Sequence, residues 1–316
     1  MGDSSPNINV IRKIDAGAGR IVLGLHGSSA VFSELSYTYP LKLLSPRIAH
    51  QGVGVIYNLT YGGGLVGGDH IYLSIEVEHG AILVLLTQGS TKVFKSRPGR
   101  KVAVRDHDPR QQGQGVVPTK QVMDVTIPDH SAIFLLPEPV TCFRMASYNQ
   151  IQKFRLSGKA SAVLLDWITS GRKSRGEEWE FSRYYSTNEL WVDRKRIVKD
   201  VLLLQDEELD VKPLPPRKLC DRLSPYSCYA TVILYGPLVE STIQHLAGMY
   251  EAMTVFKRST APDLIWSLSC VNDYPSRGGI LRVAGKETEQ VKKWMGDTLQ
   301  PLEEVVGTDV YRKAFW

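Results

Sequence analysis

Cysteine is scarce in this chain: Cys142, Cys220, Cys228 and Cys270 are the four in 316 residues. They are irregularly spaced and no CxxC occurs, which excludes a disulfide framework, a zinc finger and a thioredoxin-type motif. Long apolar runs are also missing. The longest, such as Ala81–Leu86 and Ala132–Leu136, fall far short of the ~20 residues that cross a bilayer. Neither sign of charge dominates, with 38 Lys and Arg against 33 Asp and Glu. The small basic excess is scattered, so the dense phosphate-binding runs of a nucleic-acid partner are not there. Met1-Gly-Asp-Ser-Ser-Pro6 has no apolar stretch to read as a secretory signal, and Pro6 breaks the myristoylation pattern. A reduced, cytoplasmic protein with neither membrane nor nucleic acid as partner is expected.

What remains is the composition of a folded protein, 43% hydrophobic and 22% charged. Its first two thirds read as strands. Ile71, Leu73, Ile75 and Val77 alternate with polar residues, and Val53, Val55, Tyr57 and Leu59 repeat the pattern upstream. Further short runs follow at 81–87, 122–127, 132–136, 151–156 and 162–168, many bounded by Gly, Pro or Asn. Strands at about ten-residue spacing point to an antiparallel sandwich, a barrel or stacked sheets. With no helical period before residue 236, a doubly wound parallel sheet is disfavoured, since it needs a helix between strands. Two helices are expected late, near 237–256 and 286–299, each with one apolar stripe. Residues 1–19 read as a flexible N-terminal segment, 20–316 as a single β-rich domain, and 106–115 as an exposed loop insertion.

Five glycines in seven positions, Gly62, Gly63, Gly64, Gly67 and Gly68, precede Asp69 and His70. They free the backbone for positive φ and for close approach by another chain. A P-loop is excluded, because Asp69 stands where its lysine would and a strand follows. The dinucleotide fingerprint lacks its βαβ unit, and Gly89-Ser-Thr-Lys92 scrambles the Walker order. A bulged turn at a sheet corner accounts for the glycines equally well. Asp69 and His70 offer an oxygen and a nitrogen suited to a borderline metal such as nickel, although Asp69 serves as well to cap a turn. Asp106-His107-Asp108 reads as a solvated turn. No HExxH, HxH or GxSxG occurs, and no cysteine stands in a nucleophile context. An enzyme built on Asp69-His70 would lack a nucleophile and an oxyanion motif.

Two long segments carry a family resemblance. Tyr57-Asn-Leu-Thr-Tyr-Gly-Gly-Gly-Leu-Val-Gly-Gly-Asp69, then Leu86-Thr-Gln-Gly-Ser-Thr-Lys-Val-Phe94, resembles the paired signature of the UreD (UreH) urease accessory family. Four shorter pieces follow in register: Tyr39–Pro46, Leu136-Pro-Glu-Pro-Val140, Ser170-Gly-Arg-Lys-Ser-Arg-Gly-Glu177 and Gly279–Gly285. The resemblance implies a mainly β fold of stacked sheets in a helix-like arrangement, and no catalysis by the chain. It also implies a scaffold for nickel delivery that binds the accessory protein UreF, which recruits the GTPase UreG, and docks on apo-urease. Nickel(II) would be transient cargo, and GTP would be bound by the partner GTPase. Carried over by position, Asp69 and Glu177 would line the nickel route with His70 beside them, and Glu138 is a further carry-over. Thr87, Gln88, Gly89, Thr91 and Lys92 match the second motif. The 106–115 loop and the 201–218 stretch depart from shorter members of the family, and Asp106, His107 and Asp108 in the inserted loop inherit no role.

Overall fold

The short apolar runs become seventeen strands in the computed structural model, which describes residues 14–48, 50–96, 117–206, 217–253, 261–271 and 277–316. The first seven strands are β1 (Ala18–His26), β2 (Ser29–Tyr37), β3 (Leu41–Leu44), β4 (Val53–Thr60), β5 (His70–Val77), β6 (Ile82–Leu86) and β7 (Thr91–Val93). Then come β8 (Thr119–Ile127), β9 (Ala132–Leu135), β10 (Val140–Cys142), β11 (Ser147–Leu156), β12 (Ser161–Thr169), β13 (Arg183–Val192) and β14 (Lys195–Gln205). Helix α1 (Leu219–Leu223), β15 (Cys228–Tyr235), α2 (Glu240–Glu251), β16 (Leu264–Cys270) and β17 (Gly278–Gly285) follow. Helices α3 (Thr288–Thr298), α4 (Glu303–Val306) and α5 (Thr308–Phe315) close the chain.

The strands form two open sheets. One has seven strands in the order β14-β13-β11-β8-β5-β1-β2. The other has ten, in the order β16-β17-β15-β12-β9-β6-β4-β3, with β10 pairing β12 and β7. Neither sheet closes on itself, and the chain passes repeatedly from one to the other. Thus β4, β6, β9 and β12 pair in parallel in the larger sheet, while β5, β8, β11 and β13 pair in parallel in the smaller. Both sheets are mixed, with β1–β2 and β13–β14 among the antiparallel pairs, so of the alternatives drawn from the strand spacing the purely antiparallel sandwich and the closed barrel do not hold. Parallel neighbours need a long crossover, and here a strand of the opposite sheet supplies it, with no α-helix between these strands among the described residues.

Strand β12 shows why its sequence is apolar throughout. Ala162, Leu164 and Ile168 face a core between the sheets, while Val163, Leu165 and Trp167 face a second core under the helices. A strand covered on both faces loses its alternation. Ile243 and Leu246 of α2, Val291 and Met295 of α3, and Val310 and Phe315 of α5 cover that second face. The two expected helices are α2 and α3, although Tyr250 and Met253 of the expected stripe stay exposed. There are five helices among the described residues, three more than the periodicity predicts. Helices α1 and α4 span five and four residues, too short to show a period, and α5 spans eight. Residues 1–13, the 106–115 loop and 254–256 lie outside the described residues, and β1 begins at Ala18. No helix among the described residues is long and apolar enough to cross a membrane.

Candidate functional site

The glycine segment begins as one tight turn at the end of β4. Gly62 and Gly63 hold φ of 74° and 75°, with open space where a Cβ would stand, so the left-handed backbone alone requires glycine there. Gly64 is extended, and its reason is different. A Cβ on it would lie 2.6 Å from the backbone oxygen of Lys92 in the second motif. This close approach lets the Leu65 N–H donate to Lys92 O at 2.8 Å and the Phe94 N–H donate to Leu65 O at 2.9 Å. The two motifs therefore belong to one hydrogen-bonded unit.

Asp69 ends this unit as a turn-closing carboxylate. Its Oδ2 accepts the Val66 N–H at 2.7 Å, and its own N–H donates to Val66 O at 2.9 Å. Desolvation pushes its pKa above the usual carboxylate value, against the Val66 hydrogen bond and the charge of His70. His70 opens β5 opposite Lys120 of β8.

Glu177 is buried and fully engaged. Arg172 Nε and Nη2 donate to its two oxygens at 2.8 and 2.5 Å, while the Arg144 N–H donates at 3.4 Å. The Arg172 guanidinium also lies over the Phe143 ring, 4.1 Å from its centroid. Arg172 first, then the Arg144 N–H, holds the Glu177 pKa below its ordinary value. This carboxylate stabilises the fold fully above about pH 4.5, the unfolded value, and that contribution is lost as pH falls through the lower folded value. Glu177→Gln is therefore expected to flatten the acid limb of a urea-denaturation series between pH 3 and 6. Loss of the charge-assisted hydrogen bonds is expected to cost about 2 kcal/mol at pH 7.

Glu138 lies elsewhere. Its N–H donates to Thr87 Oγ1 at 2.8 Å, and its Oε1 accepts from Lys292 Nζ of α3 at 2.6 Å. It shares with Gly62, Gly63, Thr87, Gln88, Gly89 and Thr91 the lining of a cavity of 340 Å³ that reaches between the sheets. Glu177 lines a second hollow with Val66, Phe143 and Arg172. Asp69 and His70 line neither hollow, and Lys92 is exposed on β7. The four expected ligands are thus not gathered. Among the described residues no group of three or more His, Cys, Asp or Glu stands close enough to hold a metal ion.

The deep end of the cavity holds polar groups that sequence reading missed. Asp166 of β12 points among side chains of the opposite sheet. Its Oδ1 accepts from Gln150 Nε2 at 3.0 Å and Tyr184 OH at 3.3 Å. Its Oδ2 accepts from Ser186 Oγ at 2.5 Å and Asn188 Nδ2 at 2.7 Å. Tyr148 OH donates to Gln121 Oε1 at 3.0 Å. The partners of Asp166 stand on three successive same-face rungs of the smaller sheet: Tyr148 beside Tyr184, Gln121 beside Gln150 beside Ser186, and Gln152 beside Asn188. Gln152 Oε1 and Asn188 Oδ1 are buried with no hydrogen-bond partner among the described residues. Desolvation pushes the Asp166 pKa above its ordinary value even though four donors favour the anion. The signal was there: Gln150, Gln152 and Asp166 stand at core-phase positions of their strands, where an apolar residue belongs.

The family profile described as UreD urease accessory protein matches residues 16–316. The chain is 36% identical over 297 residues to urease accessory protein 4 of Cryptococcus neoformans, covering 90% of each chain. It is 30% identical to urease accessory protein D of Arabidopsis thaliana, covering 93% of this chain and 99% of that one. It is also 30% identical to urease accessory protein UreD of an Anaeromyxobacter species, covering 99% and 93%.

Proposed function

This chain belongs to the UreD urease accessory protein family, and from that premise we propose that it is a non-catalytic scaffold through which nickel passes to apo-urease, in a complex with UreF and the GTPase UreG. The cavity is the observation that carries the reading. It joins the two motifs and Glu138 to the Asp166 cluster through oxygen-bearing side chains. A conduit for a divalent cation needs sites favourable enough to enter and weak enough to leave. Isolated carboxylates and amide oxygens meet that condition, whereas a closed set of thiolates would trap the ion. Glu138 would receive the ion near the motif loops in exchange for Lys292, and Asp166 with Gln152 Oε1 would receive it between the sheets. GTP hydrolysis stays with the partner.

Asp69 and Glu177 have different work in this reading. Asp69 closes the glycine turn, and Glu177 is occupied by Arg172 and Arg144. Those bonds favour a second reading for this face, that of an adaptor which bridges urease and its partner proteins without touching nickel.

The two readings separate in a co-expression assay at limiting nickel. Glu138→Gln is expected to reduce nickel per urease active site several-fold while leaving co-purification with urease and partners unchanged. Full loading by Glu138→Gln would overturn the cavity route and leave the adaptor.

A further inference from the structure

The edge of the sheets opposite the motif loops carries short turns that lead from the smaller sheet into the larger. They are fastened to one another. Ser131 Oγ donates to Glu78 O at 2.8 Å and accepts the Gly80 N–H at 2.9 Å, so the 78–80 turn is tied to the 128–131 turn. Asp129 Oδ1 accepts the Lys159 N–H at 2.6 Å, which ties that turn to the next. Asp193 Oδ1 accepts the Gly158 N–H at 3.0 Å. Side chains on this edge therefore stand on a backbone held from both sides.

Two of those side chains are imidazoles. His79 and His130 are exposed on neighbouring turns, with ring centroids 5.6 Å apart and ring planes at 77°. His130 holds a φ of 57°, a left-handed conformation that histidine visits more often than most residues. Asp129 Oδ2 lies 3.4 Å from His130 Nε2, while Asp129 Oδ1 is fixed by the Lys159 N–H and, at 3.1 Å, by the His130 N–H. A carboxylate so anchored favours the tautomer that keeps the proton on Nε2 and leaves the Nδ1 lone pair of His130 for another partner, as outer-shell carboxylates do for metal-bound histidines.

We propose that His79 and His130 form a two-imidazole site for a borderline divalent cation such as nickel(II) or zinc(II), with Asp129 as the carboxylate that orients His130. The spacing suits this. A metal about 2.0–2.1 Å from one nitrogen of each ring would hold the two centroids roughly 5–6 Å apart. Imidazole is a preferred ligand for nickel, zinc and copper, and calcium or magnesium would find few oxygens here. Two protein ligands leave the remaining positions to water, so the ion binds weakly and exchanges readily. This site lies at the opposite edge from the Glu138 cavity, and its test does not depend on nickel passing through that cavity.

The experiment is a calorimetric titration of the full-length chain with Ni²⁺ alone and with Zn²⁺ alone. His79→Ala and His130→Ala are each expected to weaken the site at least tenfold, and Asp129→Asn by about tenfold, the usual scale of an outer-shell loss. An unchanged isotherm in the His79→Ala/His130→Ala variant would overturn the proposal, leaving an ordinary edge-to-face ring contact. A second measurement needs no variant. Imidazole proton resonances of His79 and His130 in the unaltered chain are expected to shift together as Zn²⁺ is added, and resonances that stay fixed would overturn it independently.

Discussion

Asp166→Ala is expected to destabilise the chain by about 3–5 kcal/mol, because it strips a buried hydrogen-bonded charge from four donors. Gln150 Nε2, Tyr184 OH, Ser186 Oγ and Asn188 Nδ2 all converge on this carboxylate. Removing it leaves buried polar groups facing a void. Asp166→Asn preserves the shape and removes the desolvated charge, so urea denaturation at pH 7 is expected to show a loss of less than ~1.5 kcal/mol. Nickel loading is expected to separate the two effects. If Asp166 lies on the route, Asp166→Asn lowers loading of urease at least tenfold at limiting nickel while the protein stays folded. Normal loading by this variant would exclude the deep end of the cavity as a path.

The pH dependence of the same pair of proteins has a definite sign. Burial raises the folded-state pKa of Asp166 above its ordinary 3.8. Proton uptake by the folded state therefore contributes stability that is complete below about pH 3.8 and is lost as pH rises through the folded value. The unaltered chain is expected to gain stability relative to Asp166→Asn on acidification. Glu177, whose pKa is shifted the other way, is expected to lose stability over the acid range.

Gly64→Val should be far more damaging than Gly62→Ala, although both alter the same motif. At Gly62 the added methyl meets nothing, and the cost is that of a left-handed φ, about 1–2 kcal/mol. At Gly64 the first added carbon already meets the Lys92 carbonyl at 2.6 Å, a backbone atom that cannot swing aside. The hydrogen bonds from Leu65 and Phe94 that join the motifs must then open. Overpacking with loss of that seam is expected to cost about 3 kcal/mol or more. Thermal denaturation of the two variants checks the order. Equal losses would show that the motif is conformational only and that the approach to the second motif carries no weight.

Particular residues show what could be read from the chain. The alternation of Ile71, Leu73, Ile75 and Val77 correctly marks β5 with one buried face. The apolar run 162–168 marks a strand but hides that it has two faces to cover, one by the opposite sheet and one by helices. The paired glycine and threonine motifs pointed to a family that the comparisons bear out. Asp69 stood out at the end of the glycine motif and Glu177 at the end of the Ser170–Glu177 segment, yet each is held by neighbours that sequence order does not reveal: the Val66 N–H in one case, Arg172 and Arg144 in the other.

Residue order settles whatever repeats over a few positions: β-rich architecture, the places where the backbone must turn, the helix stripes near the end, and membership in the UreD family. Side-chain alternation says which face of a strand is buried, but it carries no information about which distant strand lies alongside. Folding made that choice by placing strands of one sheet between consecutive strands of the other. That placement brings Asp166 within reach of Gln150, Ser186 and Asn188, moves Glu138 to Lys292, and sets His79 against His130. Contacts of this kind join residues from 16 to 154 positions apart, and no local pattern records them.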